Sequence, residues 1–487
     1  MSLIGLDLNA TRARGVFGPA GPGMGLSLLR LDGDQAELPL ALSLEDARPR
    51  VGRPGVALAR RRPHLACLDF LPHLGTGRVW SAGRRPIDAD AALGLVLGQL
   101  ARGLPPGGAA VACVPAYLGD EQLGLLASLS AHARLRLLGS APAPLAAVLA
   151  AYGQDPGGWP AGPGAVLVVD ADGHALTWSL VERASGRVRL RFCQAAAHLG
   201  RGQWLRGVLD GAAHRCVRQS RRDPRESGDA EQALYEQILA ALAAGGPAAP
   251  MPLRLGGQGW DHLLTLAPED LAAFVRPLLQ QVLAELQGVQ AAAEALGGLA
   301  GAVVTAAAAA LPGLTAALES RLDAAGGAPP VEGGDYGDHL VAALHAPGPP
   351  RVLRPDALAA AAHDLAARVH RGEARPGHLE AVPLGPAVYP ADPGPARLNF
   401  RGQDHVLSAA PFTLGRDPAC DLVFESELYP HVSARHCEIL YDRRAYMLCD
   451  RSRYGTLLND RQVEQAALHP GDWIRLGPHG PVLRFLQ

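Results

Sequence analysis

From residue 1 to about 373 the chain alternates short apolar runs with Ala- and Leu-rich stretches at helical spacing, a pattern that predicts a sheet flanked by helices. The run Ile4-Gly5-Leu6-Asp7-Leu8 reads as a strand entering a turn at Asn9-Ala10-Thr11, and Val166 to Ser179 as strand carrying Asp170. Between Pro376 and Pro395 the pattern breaks: Pro383, Pro386, Pro390, Pro393 and Pro395 deny any helical period, and residues 374–395 read as a linker. From Leu398 to Phe485 the apolar runs are short and punctuated by Gly, Pro and Asp, with no long helix, which predicts a β-sandwich over 396–487. The expected fold class is therefore multidomain, α/β over 1–373 and all-β at the C-terminal end. A length of 487 residues already demands more than one core, and no repeat of solenoid period is present.

Charge narrows the partners. The 45 basic residues are all Arg, and the formal net charge is −2, so neither a strongly basic nucleic-acid surface nor a polybasic membrane anchor is expected. A protein or a small anion is the expected partner. Abundant Ala, Gly, Pro and Arg without Lys reads as a bias of the coding sequence, since 48% of residues remain hydrophobic. The uncharged stretch Ala295 to Leu318 is mostly Ala and Gly with Pro312 inside it, too weakly apolar to be read as a membrane span. Seven Cys at positions 67, 113, 193, 216, 420, 437 and 449 form neither a disulfide framework nor a metal motif, which suits a reducing cytoplasm. The segment Met1-Ser2-Leu3-Ile4-Gly5-Leu6-Asp7 has no basic stretch leading into a long apolar run and reads as strand, not signal peptide.

Candidate chemistry concentrates in the C-terminal segment. Phosphate recognition needs positive charge with donors held in fixed geometry, and the planar fork of Arg supplies both. Gly415-Arg416, Ser433-Ala434-Arg435-His436, Ser452-Arg453-Tyr454-Gly455-Thr456 and Asn459 follow one another here. In that order they resemble the motifs of forkhead-associated (FHA) domains, over about 396 to 487. The resemblance implies that Arg416 and Ser433 bind phosphate oxygens, and that Arg453 and Thr456 lie on the loop holding the peptide backbone and the threonine methyl. It also implies structural roles for Gly415, His436, Gly455 and Asn459. Tyr454 stands where the family more often has Asn, which implies altered affinity or sequence preference. His431, His436 and Cys437 lack the partners of a four-ligand metal set, and no metal is expected.

In the N-terminal segment, Val114-Pro115-Ala116-Tyr117-Leu118-Gly119-Asp120-Glu121-Gln122 resembles a stretch of the seventy-kilodalton heat-shock chaperones. The turn after Asp7, Val51-Gly52 to Pro63, Leu74-Gly75, Asp170, His198-Leu199-Gly200 and Val303 to Pro312 follow in matching order. The resemblance implies a two-lobed actin-like ATPase fold over 1–373. Phosphoryl transfer requires cations, metal-holding carboxylates and glycine-lined loops. Here the family's catalytic Lys falls on Val56, its Glu on Ala143, the last Asp of its second loop on Thr177, and a loop Gly on Asn9. Ala306 to Ala310, ahead of Leu311-Pro312, replaces its adenosine-side glycine motif. A pseudo-ATPase is expected, with Asp7 and Asp170 as a vestigial nucleotide site, no catalytic residues and no required cofactor. Asp170-x-Asp172-Gly173 reads as strand and turn and not as a calcium loop, because Val181 stands at its twelfth position.

The sequence therefore points to a phosphothreonine-binding adaptor with a non-catalytic N-terminal domain. The alternative is an ATP-binding or ATP-driven chaperone-like protein, with Mg-ATP as cofactor, regulated through its FHA domain. A third reading has the module bind a phosphorylated Thr in another copy of the chain, against which stands the scarcity of Thr in flexible segments.

Overall fold

The computed structural model describes residues 2–19, 25–82, 85–153, 159–160, 164–184, 186–243, 250–257, 259–326, 349–383, 396–407, 411–418, 420–425, 427–442 and 445–486. The chain divides into two compact units, one of Met1–Ala367 with Pro376–Pro386 and one of Arg368–Arg375 with Ala387–Gln487.

The first unit is built on two sheets with the same internal plan. In one, Leu3–Leu8 is central; the antiparallel strands Arg12–Gly18 and Ser27–Leu28 lie on one side, the parallel strands Ala109–Val114 and Leu137–Pro142 on the other. In the second, Ala165–Ala171 is central, with antiparallel Leu176–Ala184 and Arg187–Ala196 on one side and parallel Leu299–Val304 and Arg351–Val352 on the other. All six residues of Leu3–Leu8 are buried, as are all six of Ala109–Val114, so these strands read as apolar runs broken only by Asp7. That is the mark of strands covered on both faces. Helix Ala143–Tyr152 is buried from Ala143 through Leu149, and Ala89–Gly103 turns Ala92, Leu93, Val96, Leu97 and Leu100 inward at helical spacing.

The segment expected to be linker from residue 374 is structured at its start, a correction to the sequence reading. Gly377–His378 pairs in parallel with Leu137–Pro142, and Ala381–Pro383 pairs antiparallel with Arg187–Ala196, so one short stretch extends both sheets. Strands of two and three residues are too short to show a period, and Pro is tolerated at a sheet edge. Residues 384–395, with Pro386, Pro390, Pro393 and Pro395, lie outside the described residues. Ala295 to Leu318 is divided among strand Leu299–Val304, helix Ala306–Ala309 and the start of helix Leu314–Gly326. No helix of the described residues is long and apolar enough to cross a membrane.

The second unit is strand-rich. Its two sheets run, in spatial order, Gln403–Leu407, Ala396–Phe400, Val482–Leu486, Trp473–Leu476, Thr456–Leu458, Arg461–Val463, and Leu422–Val423, Phe412–Gly415, Cys437–Asp442, Ala445–Asp450, Gln465–Ala467. Leu398, Leu414, Ile439, Leu448, Ile474, Leu483 and Phe485 fill the core between them. Along Val482–Leu486 exposed and buried residues alternate, the period of a strand with one face on a core.

Two glycines of the first unit carry opposite expectations. A Cβ on Gly5 would collide with the Ala359 carbonyl oxygen and the His363 amide, whereas one on Gly98, inside helix Ala89–Gly103, would meet nothing within 4 Å. In denaturant titrations Gly5→Ala is expected to lose about 3 kcal/mol or more by overpacking, and Gly98→Ala to gain about 0.5–1 kcal/mol by relieving the helix of a glycine.

Candidate functional site

Two places gather the residues singled out in the sequence. In the first unit, the turns that follow the two central strands meet. Asp7 is buried, and the Arg12 guanidinium lies 2.9 Å from its Oδ2. Arg12 Nε also contacts Glu37 at 3.1 Å, and Glu37 takes Arg14 as well. Burial pushes the Asp7 carboxyl above its usual range against the pull of Arg12. Asp170 accepts the Thr305 hydroxyl at 2.6 Å, and burial, opposed by that bond, pushes it up to about 6.

The backbone amides of these turns are already engaged. Asn9 Oδ1 accepts from the amides of Thr11 and Arg12, both at 3.0 Å. The Gly173 amide donates to the Thr11 hydroxyl at 2.7 Å, and the Ala10 amide donates across to Asp172 Oδ2 at 3.0 Å. That same oxygen accepts the Tyr117 hydroxyl at 2.6 Å, while Oδ1 accepts the amides of His174 and Ala175. Asp172 thus joins the two turns. Sequence reading had weighed Asp172 only as part of a calcium-like fragment and Tyr117 only as part of a motif; the separation of 162 residues between Ala10 and Asp172 hides the contact from any local pattern. Val56 lies at the edge of the cleft with its carbonyl accepting from Gln232, Ala143 opens a buried helix, and Thr177 is buried in the strand after the second turn. Among the described residues no group of three His, Cys, Asp or Glu side chains is placed to hold a metal ion.

In the second unit three loops converge. Gly415 ends its strand where a Cβ would overlap the Ala434 carbonyl, so only glycine lets the chains approach. The amides of Arg416 and Asp417 donate to the carbonyls of Ser433 and Ala434 at 3.1 and 2.9 Å. Arg416 Nε donates to the Val432 carbonyl. The Ser433 hydroxyl accepts the Arg453 amide at 3.0 Å, which brings in the third loop. Arg416, Ser433 and Arg453 therefore stand together.

His436 is the brace. Fully buried, it accepts the Ser433 amide on Nδ1 at 3.0 Å and donates from Nε2 to the Gly455 carbonyl at 3.2 Å. Those two bonds fix the neutral tautomer, and burial lowers its pKa. Gly455 has φ 79°, a conformation that favours glycine. Asn459 and Asp460 both have positive φ in the two-residue turn between Thr456–Leu458 and Arg461–Val463, and Asn459 also bonds Asp472 and the Trp473 amide.

Thr456, which the sequence placed among ligand contacts, is fully buried with its hydroxyl donating to Asp450 at 2.6 Å, a bracing position. Arg435, to which the sequence assigned no role, adds to the lip beside Arg453 and Tyr454. Arg435 and Arg453 are exposed and carry no ion pair among the described residues. The Tyr454 ring, 45% exposed, packs edge-on against His431 at 5.3 Å and lies under Arg453 at 5.8 Å.

Because the folded state holds His436 neutral, the unfolded chain binds a proton more readily below the ordinary value of 6.5. Stability supplied by this residue is present above that pH and is lost as pH falls through it. The melting midpoint of the β-rich unit is expected to drop below about pH 6 in the wild type, and a His436→Ala variant is expected to melt lower at pH 7.5 and to lose this part of the pH dependence.

No curated protein matches the chain. Residues 412–477 match the family model for the FHA domain, so the strand-rich C-terminal region contains an FHA domain, a phosphopeptide-binding module.

Proposed function

We propose that the chain is a cytoplasmic, non-catalytic adaptor: its FHA domain captures a protein phosphorylated on threonine, and its N-terminal unit is an actin-like ATPase fold that no longer turns over nucleotide. The observation that carries the first part is the convergence of Arg416, Ser433 and Arg453 on three loops pinned by one buried imidazole. A phosphate dianion needs donors that are positioned before it arrives, and these loops are fixed by backbone bonds, by the His436 imidazole and by the Arg416 side chain on the Val432 carbonyl.

Two features support the reading of the N-terminal unit. Each of its two sheets has a central strand with an antiparallel meander on one side and parallel strands on the other, the duplication that the chaperone resemblance implies. Its turns have no free cradle: Asn9, Thr11 and Asp172 take the turn amides, and Arg12 takes Asp7, where a metal and a polyphosphate would have to compete. Val56 and Ala143 stand where the resemblance requires a cation and a carboxylate.

Phosphothreonine-peptide libraries passed over the full chain, beside unphosphorylated libraries, test the first part. Arg416→Ala is expected to weaken capture by about 1.5–3 kcal/mol, and equal binding by wild type and variant would remove the claim. For the second part, millimolar Mg-ATP is expected to leave the melting midpoint unchanged; a rise of several degrees would restore a nucleotide site.

Asp170 offers a further check. An Asp whose pKa is raised on folding holds its proton more tightly in the folded state, so ionisation subtracts stability as pH rises from 3.8 through about 6. Asp170→Asn keeps an acceptor for Thr305 and is expected to stabilise the protein on the order of 1–3 kcal/mol above pH 6, with the gain fading toward pH 4 in pH-resolved denaturation.

A further inference from the structure

We propose that the cleft of the N-terminal unit binds a small organic oxyanion, one carboxylate or phosphate monoester on an apolar body, with Arg201 as its cationic partner. A cavity of about 590 Å³ lies between the Arg53–Ala59 stretch and the helices Arg201–Ser220 and Gly228–Ala243. That is within the range of small-molecule sites, about 300–1,000 Å³. Leu205, Tyr235, Leu239, Ala240 and Ala243 give it an apolar wall with one aromatic ring.

Arg12, Arg53 and Arg201 line it against Glu37, Asp69 and Glu236, and these charges are unevenly paired; Arg53 is exposed to solvent. Arg12 is neutralised by Asp7 and Glu37, and Glu37 is shared with Arg14. Glu236 accepts from Gln232, and burial together with Asp172 drives Asp69 toward its neutral form. Arg201 is different. Its backbone is fixed by a bond from its amide to the Asp172 carbonyl at 2.8 Å, yet among the described residues its guanidinium has no hydrogen bond or ion pair. It is partly buried, and burial with the charge of Arg12, opposed by Tyr235 and by Glu37, lowers its pKa. A desolvated cation next to a second cation, with no carboxylate of its own, is costly unless an anion enters. Arg201 is also the first residue of a twenty-residue helix whose N-cap, Gly200, supplies no side-chain cap, so the positive end of the helix faces the same space.

The shape of the ligand follows from what the site has and lacks. A guanidinium fork matches a single carboxylate or phosphate. The amides that a polyphosphate would need are already bonded within the two turns. Gln232 staples the cavity's edge, donating to the Val56 carbonyl at 3.0 Å and accepting the Arg60 amide at 2.8 Å, which favours a compact ligand.

The test is thermal melting of the full chain carrying Arg416→Ala, so that the FHA phosphate site is silent, at matched ionic strength. The probes are millimolar benzoate, phenyl phosphate, inorganic phosphate and Mg-ATP. Benzoate or phenyl phosphate is expected to raise the midpoint of the N-terminal unit by about 2 °C or more, inorganic phosphate by less and Mg-ATP not at all; which of the two organic anions acts separates a carboxylate site from a phosphate site. Adding Arg201→Ala should abolish the shift, whereas Arg30→Ala, an exposed arginine away from the cavity, should keep it. Leu239→Glu leaves Arg201 in place, sets a carboxylate against the apolar wall and should also abolish it. The proposal is overturned if no organic oxyanion shifts the midpoint, if the shift survives Arg201→Ala, or if Mg-ATP alone produces it.

Discussion

The carboxylate of Asp172 accepts four hydrogen bonds, from the amides of Ala10, His174 and Ala175 and from the Tyr117 hydroxyl. Only one of those donors belongs to the first central turn and one to the stretch after Ala109–Val114, so a single side chain ties the first sheet to the second. Buried amides must find acceptors somewhere. A phosphate with its metal is one way to satisfy two facing turns, and a fixed carboxylate is another. Here the protein supplies the carboxylate itself, and Asn9 and Thr11 complete the arrangement from within their own turn. On the proposed reading, the loss of catalytic groups and the gain of this clasp are one change seen from two sides: turns that no longer open to a ligand must be closed by the chain.

The FHA domain solves a related problem with the opposite outcome. Its loops are also pinned by a buried polar group, but His436 sits behind them, bonded to the Ser433 amide and the Gly455 carbonyl. Arg435 and Arg453 are left on the outside. A neutral imidazole suits that task because it is donor on one nitrogen and acceptor on the other. Gly415 and Gly455 permit the close approach, and Thr456 with Asp450 holds the far end of the third loop. What separates the two sites is where the satisfied polar groups face: in the clasp they consume the amides a ligand would need, and in the FHA domain they leave the arginine side chains at the surface.

The strands and the change of architecture near the Pro-rich segment were legible from periodicity, because buried strands read as apolar runs and one-faced strands alternate. The order Gly-Arg, Ser-x-x-His, Gly-Thr marked the FHA loops, since glycine and arginine are required there by close approach and by charge. Other features could not be read locally. Gly377–His378 and Ala381–Pro383 are too short to carry a pattern and are strands only because sheet edges receive them. Thr456, placed by resemblance on the peptide-holding loop, is buried with its hydroxyl on Asp450, a contact across six residues that the motif does not report. The pairing of Ala10 with Asp172 depends on two sheets coming together, which no window of sequence reports.

On the proposed reading, the absence of Lys raises the question of whether composition alone removed the cation that the chaperone resemblance places at position 56. If a bias against Lys had been the cause, Arg would stand at position 56, since Arg replaces Lys throughout this chain and would preserve the charge. Val stands there instead, at the cleft edge, with its carbonyl bound by Gln232. Arginine does occur in the cleft, at Arg12, Arg53 and Arg201, so the cleft admits cations. Arg12 is spent on Asp7 and Glu37 and Arg53 is exposed, while among the described residues the partly buried Arg201 guanidinium has no hydrogen bond or ion pair. On the proposed reading, the partly buried cation of the cleft stands not at position 56 but at the start of a helix. There it faces a small cavity with an apolar wall, which fits a ligand with one anionic group better than it fits a triphosphate.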